Sequence, residues 1–346
     1  MHIMALFWEC VAILELSCGL FVITCTCDGA SPNRKFFQMH SVNSELCYKV
    51  VNIFSPDRFI YFFSDGCHLL KTARNSWANS GSGKCSRYMW NDGKHILWSH
   101  LSRIYYEELS VGGCKTLPKL TLNHIQLNSY SVMTVKFAAQ VLSTTVSKVL
   151  SRFGGQESSE TAKFCVMMDS FFDCCITRHC DEATQTRKPC LQPYTDVNDP
   201  RFDWLLETFL PYFDRWWKSI QYRHGDFSDS ERERMFIPKQ THQGLFITCH
   251  SLVEAIRFLL RAGMTFVFSE RLLQDILEEY FGHQRMLGCR TDNPTVHQFG
   301  YNANALRIQK DVSRISGNTR GRFDDTKACH NVSAEPADKR RAKRKK

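Results

Sequence analysis

Acidic side chains at two distant places in the sequence have the surroundings that a divalent-metal site requires. An apolar, β-branched run at residues 21–26, short enough to be one buried strand, is followed by Cys27 and then by Asp28. Glu278 belongs to residues 270–281, whose apolar positions have helical spacing. A strand end and a helix can present two carboxylates to the same divalent cations, which activate an attacking hydroxyl and stabilise a leaving oxygen.

Both acidic positions also have an interpretation without chemistry. Asp28 and Gly29 are a residue pair typical of an ordinary turn. On the helix, spacings of three and four place Asp275 on one side with Glu278 and Glu279, and such a side is often a solvated acidic face. The residues alone leave the turn and the solvated face open beside the metal site.

A third acidic residue, Asp65, ends a second apolar run at residues 58–64 and is followed by His68. Such an aspartate can be an accessory metal ligand, and it can equally cap the helix that follows. Lys71 and Arg74 lie on that predicted helix, where they could approach a phosphate backbone. Two basic residues alone are weak evidence for nucleic-acid binding.

Residues 79–86 (NSGSGKCS) come close to a phosphate-binding loop, with Gly83 and Lys84 in place. Ala78 occupies the first glycine position, and Cys85 replaces the serine or threonine that holds magnesium in that motif. The segment before the loop is helical rather than a strand. The motif therefore fails, which disfavours a free-standing GTPase.

The elements that must position these residues alternate between helix and strand at the start of the chain. The patterns predict a helix at 7–16, a strand at 21–26, a helix at 34–40, a strand at 58–64 and a helix at 68–75. This order predicts an α/β unit with a parallel sheet. The α/β character returns near Met235, with predicted elements at 251–261 (helix), 264–268 (strand) and 269–282 (helix capped by Ser269).

The middle of the chain has a different pattern. From Trp98 to Arg223 helical periodicity dominates, and helices are predicted at 131–153, 161–178 and 202–222. A polar, proline-bearing segment at 180–200 separates the last two. The sequence therefore predicts an all-α domain inserted into an α/β domain.

Composition limits the class and the compartment. The chain has 346 residues, 43% of them hydrophobic, which is enough for a large core. Its net charge of +9 is concentrated in residues 339–346 (KRRAKRKK), which fits a solvated tail, a nuclear address or a phosphate contact. The 16 cysteines form no CxxC pair, which disfavours a zinc site, and no export signal or membrane span is evident. We expect reduced, intracellular thiols.

Six segments, in this order, resemble the P-element-type transposases, including those that carry a THAP zinc finger. They are residues 8–16 (WECVAILEL), 26–40 (TCDGASPNRKFFQMH), 62–75 (FFSDGCHLLKTARN), 120–143 (LTLNHIQLNSYSVMTVKFAAQVLS), 162–174 (AKFCVMMDSFFDC) and 268–304 (FSERLLQDILEEYFGHQRMLGCRTDNPTVHQFGYNAN). The resemblance covers about residues 4–307, nearly everything except the tail.

The resemblance implies an RNase H-like catalytic core interrupted by a large all-α insertion domain that binds a guanine nucleotide. It implies cutting and joining of DNA by an Asp–Asp–Glu site with Mg²⁺ or Mn²⁺. Because the helix at 7–16 precedes the strand that delivers Asp28, the resemblance matches Asp28 to the second carboxylate. It matches Glu278 to the third. The first would belong to a strand upstream of Met1.

The resemblance also implies nucleotide-binding residues, and GTP as a second ligand. They are Lys148, Val149, Phe172 and Asp173, with Asp275 near the metal of the nucleotide. Thr134 occupies a position, just before Val135, that is often basic in relatives.

Four regions follow from the resemblance. Residues 1–78 are the first part of the RNase H-like core, residues 79–230 the guanine-nucleotide-binding insertion, residues 231–306 the second part of the core, and residues 307–346 a disordered basic tail. The first carboxylate, the first three strands and any THAP zinc finger are absent from the sequence. We therefore expect an amino-terminally truncated copy, or an incomplete gene model, with impaired activity.

Two functions stay open at this point. The first is a P-element-like DNA transposase fragment in the nucleus, acting on transposon ends and target DNA as a homo-oligomer without a membrane. The second is a non-catalytic, DNA-associated domesticated remnant that keeps the fold and the basic tail. Upstream coding sequence with an acidic residue on an apolar strand would favour the enzyme, and a genuine start at Met1 would favour the remnant.

Overall fold

Helices make up most of the chain. The structure is a computed structural model, which describes residues 2–41, 46–111, 115–287 and 294–313. The chain divides into two compact units, one formed by Met1–Arg178 with Glu182–Glu278 and the other by His179–Asp181 with Glu279–Lys346.

The first unit begins with a small mixed sheet and the helices around it. Its elements are α1 (His2–Ala12), a π-helical turn (Ile13–Ser17), β1 (Thr24–Cys27), α2 (Ser31–Met39), β2 (Lys49–Val51), β3 (Phe59–Ser64) and α3 (Gly66–Ala78). The strand order is β1-β3-β2. The alternation of helix and strand that the sequence predicts is therefore present.

The sheet is only partly parallel. β1 runs parallel to β3 with Cys27 opposite Ser64, whereas β2 runs antiparallel to β3 with Lys49 opposite Tyr61. The prediction of a parallel sheet is thus confirmed for β1 and β3 and wrong for β2. β2 has three residues and gave no usable pattern in the sequence.

The central strand β3 is buried on both faces. Phe62 faces a small aromatic cluster with Phe36 and Phe37 of α2, and the Phe37 and Phe62 rings stack at 4.8 Å. Tyr61 and Phe63 face the large core instead. A six-residue apolar run between turn residues is the pattern expected of such a strand.

A long helix, α14 (Lys239–Arg261), covers the sheet. The Thr248 hydroxyl donates to the Ser64 carbonyl at 2.6 Å, and the Ser251 hydroxyl donates to the Phe62 carbonyl at 2.5 Å. Gly244 permits this approach, because a Cβ there would lie 3.3 Å from Cβ of Ser64 on β3 and 2.6 Å from Cδ2 of Leu69 on α3. Among the described helices α14 is the one long and apolar enough to span a membrane, and 56% of the relevant stretch is buried inside the protein.

The middle of the first unit is almost entirely helical. After a short hairpin, β4 (Trp90–Asn91) and β5 (Lys94–His95), come α4 (Ser99–Val111), α5 (Leu122–Ile125), α6 (Ser129–Met133), α7 (Val135–Val141), α8 (Thr144–Phe153), a 3₁₀ turn (Gln156–Ser158), α9 (Ser159–Cys175), α10 (Glu182–Thr186), a 3₁₀ turn (Pro189–Leu191), α11 (Pro200–Asp203), a π-helical turn (Trp204–Phe209), α12 (Leu210–Gln221) and α13 (Asp229–Arg234). Its core is strongly aromatic, with Phe171 stacked on Phe209 at 4.8 Å.

The single helix predicted at 131–153 is wrong. Extended backbone at Thr134 and Ser143 divides the segment into α6, α7 and α8. The Ser143 hydroxyl accepts a hydrogen bond from the Val146 amide and so starts α8 as its N-cap. Apolar periodicity continues across both breaks, which is why the sequence pattern does not show them.

The helix predicted to start at Ser269 begins later. Residues Ser269–Leu272 form a 3₁₀ turn, and α15 (Asp275–Leu287) follows it. The strand predicted at 264–268 is a single bridge between Val267 and Tyr194.

The second unit contains most of α15 and all of α16 (Val296–Ser313). Within it the Asn302 amide donates to the Gln284 carbonyl at 3.0 Å. The predicted disorder from residue 307 is wrong for residues 307–313, which end α16, and the basic run at 339–346 lies outside the described residues.

Candidate functional site

Two aspartates leave the sheet at the same edge. Because β1 and β3 are parallel and Cys27 lies opposite Ser64, the next residues, Asp28 and Asp65, come at the same end of the two strands. The Asp65 amide donates to the Cys27 carbonyl at 2.9 Å, which extends the pairing to this point. Carboxyl ends of parallel strands are a frequent place for ligand sites.

The segment before α15 closes this edge. The Thr26 hydroxyl donates to the Leu272 carbonyl at 2.7 Å. Gln274 then bridges both strand ends, since its side-chain amide donates to the Thr26 carbonyl at 3.4 Å and its backbone amide donates to Oδ1 of Asp65 at 3.2 Å. The first turn of α15, which carries Glu278, therefore starts beside the two strand ends.

Asp28 combines the two interpretations of its sequence. Its Oδ1 accepts hydrogen bonds from the Ala30 amide at 2.9 Å and from Nδ2 of Asn33 at 2.7 Å, which is a turn that leads into α2. Its Oδ2 has no hydrogen-bond partner among the described residues, and the side chain is half-buried. One carboxylate oxygen thus fixes the turn and the other is free to accept a ligand.

Asp65 lies deeper, with 2% of its surface exposed. Its Oδ2 accepts the His68 amide at 2.7 Å, so that it caps α3, and its Oδ1 accepts the Gln274 amide. Burial raises the pKa of the Asp65 carboxyl, and these two backbone bonds oppose that effect. Each oxygen of Asp65 therefore already has a donor.

The acidic residues of α15 also differ in whether their carboxylates already have hydrogen-bond or ion-pair partners. Asp275 accepts from the Cys67 thiol at 3.4 Å and pairs with Arg178 at 3.3 Å, and Arg178 also pairs with Glu270 at 3.1 Å. Glu278 is exposed, and its carboxylate has no hydrogen bond or ion pair within the described part of the chain. Asp28 and Glu278 are thus the two candidates with unused carboxylate oxygens at this edge.

His68 contacts both strand ends, through its amide at Asp65 and its ring at Gly29, and sequence reasoning did not assign it to the site. Its ring packs against Gly29, where a Cβ would lie 2.6 Å from Nε2 of His68. Burial lowers the pKa of the His68 imidazole and Lys71 lowers it further, while the carboxylates of Asp28 and Asp65 oppose this. The Asp-Gly sequence after β1 is the signal for this close approach, since only glycine leaves room for the ring.

The residues predicted to bind a nucleotide lie on two helices of the first unit that pack together, α8 and α9. Lys148 is exposed, Val149 packs against the large core, and Phe172 and Asp173 are buried. Asp275, predicted near the metal of the nucleotide, makes its contacts with Cys67 and Arg178 at the edge of the sheet.

Asp173 belongs to a buried charge cluster that the sequence did not reveal. Lys188 bonds Asp173 at 2.8 Å and Asp169 at 3.0 Å. Asp169 also accepts from the Thr144 amide and hydroxyl, at 2.9 and 2.6 Å. Burial, followed by the charge of Asp169, raises the pKa of Asp173 to about 6. Burial lowers the pKa of Lys188, but its bonds to the two carboxylates outweigh this and raise the pKa.

The donor set at the sheet edge suits a hard divalent cation. Mg²⁺ in phosphoryl-transfer sites commonly takes one or two carboxylates and completes its shell with substrate phosphates and water. Asp28 and Glu278 could supply two such oxygens. Over residues 2–41, 46–111, 115–287 and 294–313, no group of three or more His, Cys, Asp or Glu side chains forms a complete protein-only metal site.

Comparison with known proteins gives three related results. Residues 67–189 match the family model of the TNP-like, GTP-binding insertion domain. The chain is 28% identical over 248 residues to the transposable element P transposase of Drosophila melanogaster. This alignment covers 70% of this chain and 29% of the relative.

A solved structure shares the fold of this chain. The solved Drosophila P element transposase strand transfer complex superposes with a TM-score of 0.68 and 23% identity, over 88% of this chain and 64% of that chain. The chain thus spans less than a third of the length of the curated P transposase and about two thirds of the solved P element transposase chain. At this identity the structural match shows the fold.

Proposed function

We propose that this chain carries part of the catalytic centre of a P element-like DNA transposase that cuts DNA and joins the ends by metal-dependent phosphodiester chemistry. The observation that carries the proposal is the double contact of Gln274 with Thr26 and Asp65. This double contact supports the proposal because it joins the segment that leads into the helix of Glu278 to the strand that ends before Asp28. The similarity to the P transposase of Drosophila melanogaster supports the choice of reaction.

The proposed architecture is an RNase H-like core formed by residues 1–78 and 231–306, interrupted by a helical insertion at 79–230. Three features support it: the β1–β3 pair with α3 and α14, the almost entirely helical middle of the chain, and the match of residues 67–189 to an insertion-domain family. Residues 307–346 would form the basic tail.

Asp28 and Glu278 would hold Mg²⁺ or Mn²⁺. When bound, such ions activate an attacking hydroxyl and stabilise the leaving oxygen. The protein's own part is to hold the two carboxylates in place. The Asx turn orients Asp28 through one oxygen and leaves the other for a cation, while Gln274 anchors the start of α15 to the sheet.

We further propose that residues near α8 and α9 bind GTP, and that the chain works with DNA as a homo-oligomer in the nucleus. The GTP-binding description of the matched family supports the first part. The name of the strand transfer complex supports DNA as the partner, whereas the homo-oligomer and the nucleus rest on the resemblance alone. Lys148, Val149, Phe172, Asp173 and Asp275 stay the proposed nucleotide-site residues.

A nicking assay on labelled DNA tests the catalytic part. The wild type, Asp28→Asn and Glu278→Gln are compared in Mg²⁺, and Glu279→Gln is the matched control because it removes the neighbouring exposed acid of the same helix. Loss of a ligand to a metal ion that acts on the reacting group should lower the nicking rate by roughly a hundredfold or more. Glu279→Gln should nick like the wild type.

Two results would contradict this proposal. An equal loss of nicking rate in Glu278→Gln and Glu279→Gln would mean that the reaction needs the negative charge of the helix rather than one metal ligand. Nicking at the wild-type rate by Asp28→Asn and Glu278→Gln would show that these carboxylates do not hold the catalytic metal. A folded wild type that binds DNA without nicking it would instead fit the non-catalytic, DNA-associated remnant.

A further inference from the structure

A cavity of about 670 Å³ opens beside the strand-end aspartates, between α2, α3 and α14 of the first unit. It shares Gly29 and His68 with the candidate metal site and extends away from it towards Arg87 and Gln243. Its volume is within the usual range of small-molecule sites, about 300–1,000 Å³. None of the residues proposed for the GTP site is among the described lining residues of this cavity.

The wall of this cavity is basic. Arg34 and Arg87 line it together with His68, and none of the described lining residues is an aspartate or a glutamate. The Arg34 guanidinium donates to the Gly29 carbonyl, and that of Arg87 donates to the carbonyls of Glu233 and Phe236 at 2.9 and 2.6 Å. Neither arginine is paired with a carboxylate in the described part of the chain, so both keep charge for an anionic ligand.

The remaining lining is of two kinds. Phe37, Leu69 and Ile247 form apolar wall, and Phe37 and Leu69 are almost fully buried. Gln38, Gln240 and Gln243 also line the cavity, and their side-chain amides make no hydrogen bond with the residues described. Apolar surface beside amide donors and acceptors suits a flat heterocycle with polar edges, such as a nucleobase.

We propose that this cavity binds one nucleotide, with its phosphate on Arg34 and Arg87 and its base against the apolar wall and the glutamine amides. The nucleotide is either free or one unpaired residue of a DNA strand, because the two sources present the same phosphate and base. The proposal does not depend on the metal chemistry, so its test is a binding measurement in a chelator.

The test uses the full chain in EDTA with a fluorescent single-stranded oligonucleotide, and follows anisotropy. Arg87→Ala removes a proposed phosphate contact, and Gln243→Phe fills the cavity without a change of charge. Lys35→Ala is the control, because Lys35 is an exposed cation of α2 outside the cavity lining. Loss of one charge-assisted contact should weaken binding roughly tenfold or more, with less than a twofold change for Lys35→Ala.

Competition identifies the source. Displacement of the oligonucleotide by a nucleoside monophosphate supports a free nucleotide, whereas displacement only by unlabelled single strands supports an unpaired residue of DNA. The proposal is overturned if Lys35→Ala weakens binding as much as Arg87→Ala, if Gln243→Phe binds like the wild type, or if the wild type binds no single strand.

A measurement on the wild type covers the case in which a variant does not fold. Arg34 and Arg87 are modified with phenylglyoxal, and the modified peptides are identified by mass spectrometry with and without the oligonucleotide. Slower modification of both arginines in its presence supports the cavity. Equal rates overturn the proposal, whatever happens to the substituted chains.

Discussion

Replacing Lys188 by methionine should expose the cost of the buried charge cluster. Lys188 is the one cation within 4 Å of Asp169 and Asp173 among the described residues. The substitution keeps most of the apolar stem of the side chain but removes the ammonium group that pairs with the two carboxylates. Loss of a partner from a fully buried pair costs about 3–5 kcal/mol. Because 39% of the Lys188 side chain is exposed, solvent screening reduces this to about 2 kcal/mol.

The expected loss depends on pH through Asp173. Its folded pKa of about 6 exceeds the unfolded value of 3.8, so its ionisation lowers stability. The protonated carboxyl of Asp173 therefore contributes stability that is complete below the unfolded pKa and is lost as the pH rises through about 6. At pH 5 Asp173 is mostly protonated in both chains, and the variant leaves only the Asp169 charge without its partner. The destabilisation should therefore be less than half of that at pH 8.

Thermal unfolding of both chains at pH 5 and pH 8 measures this. With an unfolding entropy of roughly 2.1 cal/mol/K per residue and 346 residues, about 2 kcal/mol lowers the midpoint by roughly 3 °C at pH 8. Lys163→Met is the control, because Lys163 is 48% exposed and makes a surface pair with Glu160 on α9. An equal midpoint shift at both pH values, or one no larger than the control's, would refute the reasoning.

Two further substitutions test the strand-end geometry. Asp65→Ala leaves the amides of His68 and Gln274 without acceptors and should cost about 2–4 kcal/mol in the free energy of unfolding; Asp65→Asn, which keeps one acceptor, should cost less, and equal costs would contradict the double role. Gly29→Ala places a Cβ 2.6 Å from Nε2 of His68 and should cost about 1–3 kcal/mol and shift the imidazole resonances. Gly282→Ala, in open space on α15, should stabilise slightly, and a similar gain at Gly29 would show that the ring has room.

The strand ends of the candidate site were predictable because their signals are local. Each apolar run stops at an aspartate followed by glycine, and the structure has β1 and β3 ending directly before Asp28 and Asp65. The two runs differ in burial, since β3 is central and β1 is at an edge, but both patterns are short and end in turn residues. The local sequence therefore predicts β1 and β3, although it does not predict their neighbour β2.

The start of α15 was not predictable, because a long-range contact decides it. Ser269 has the residue type of an N-cap, but its hydroxyl accepts from the Thr177 amide at 3.1 Å and its amide donates to the Thr177 hydroxyl at 2.8 Å. A serine used in this way no longer caps its own helix. The cavity is hidden from the sequence for a similar reason, since Arg34, Arg87 and Gln243 meet only after folding.

The Gln274 bridge has a consequence for how the sheet edge tolerates its own charge. Two carboxylates brought together repel each other. If ionic contacts held the site together, its stability would change whenever a proton or a cation bound. Here Gln274 makes the bridge: its uncharged side-chain amide donates to the Thr26 carbonyl, a bond that does not titrate, and its backbone amide donates to Asp65 rather than to Asp28 or Glu278. The sheet edge would therefore assemble without bound cations. Cations that bind later would meet preorganised ligands and would contribute little to the folding free energy.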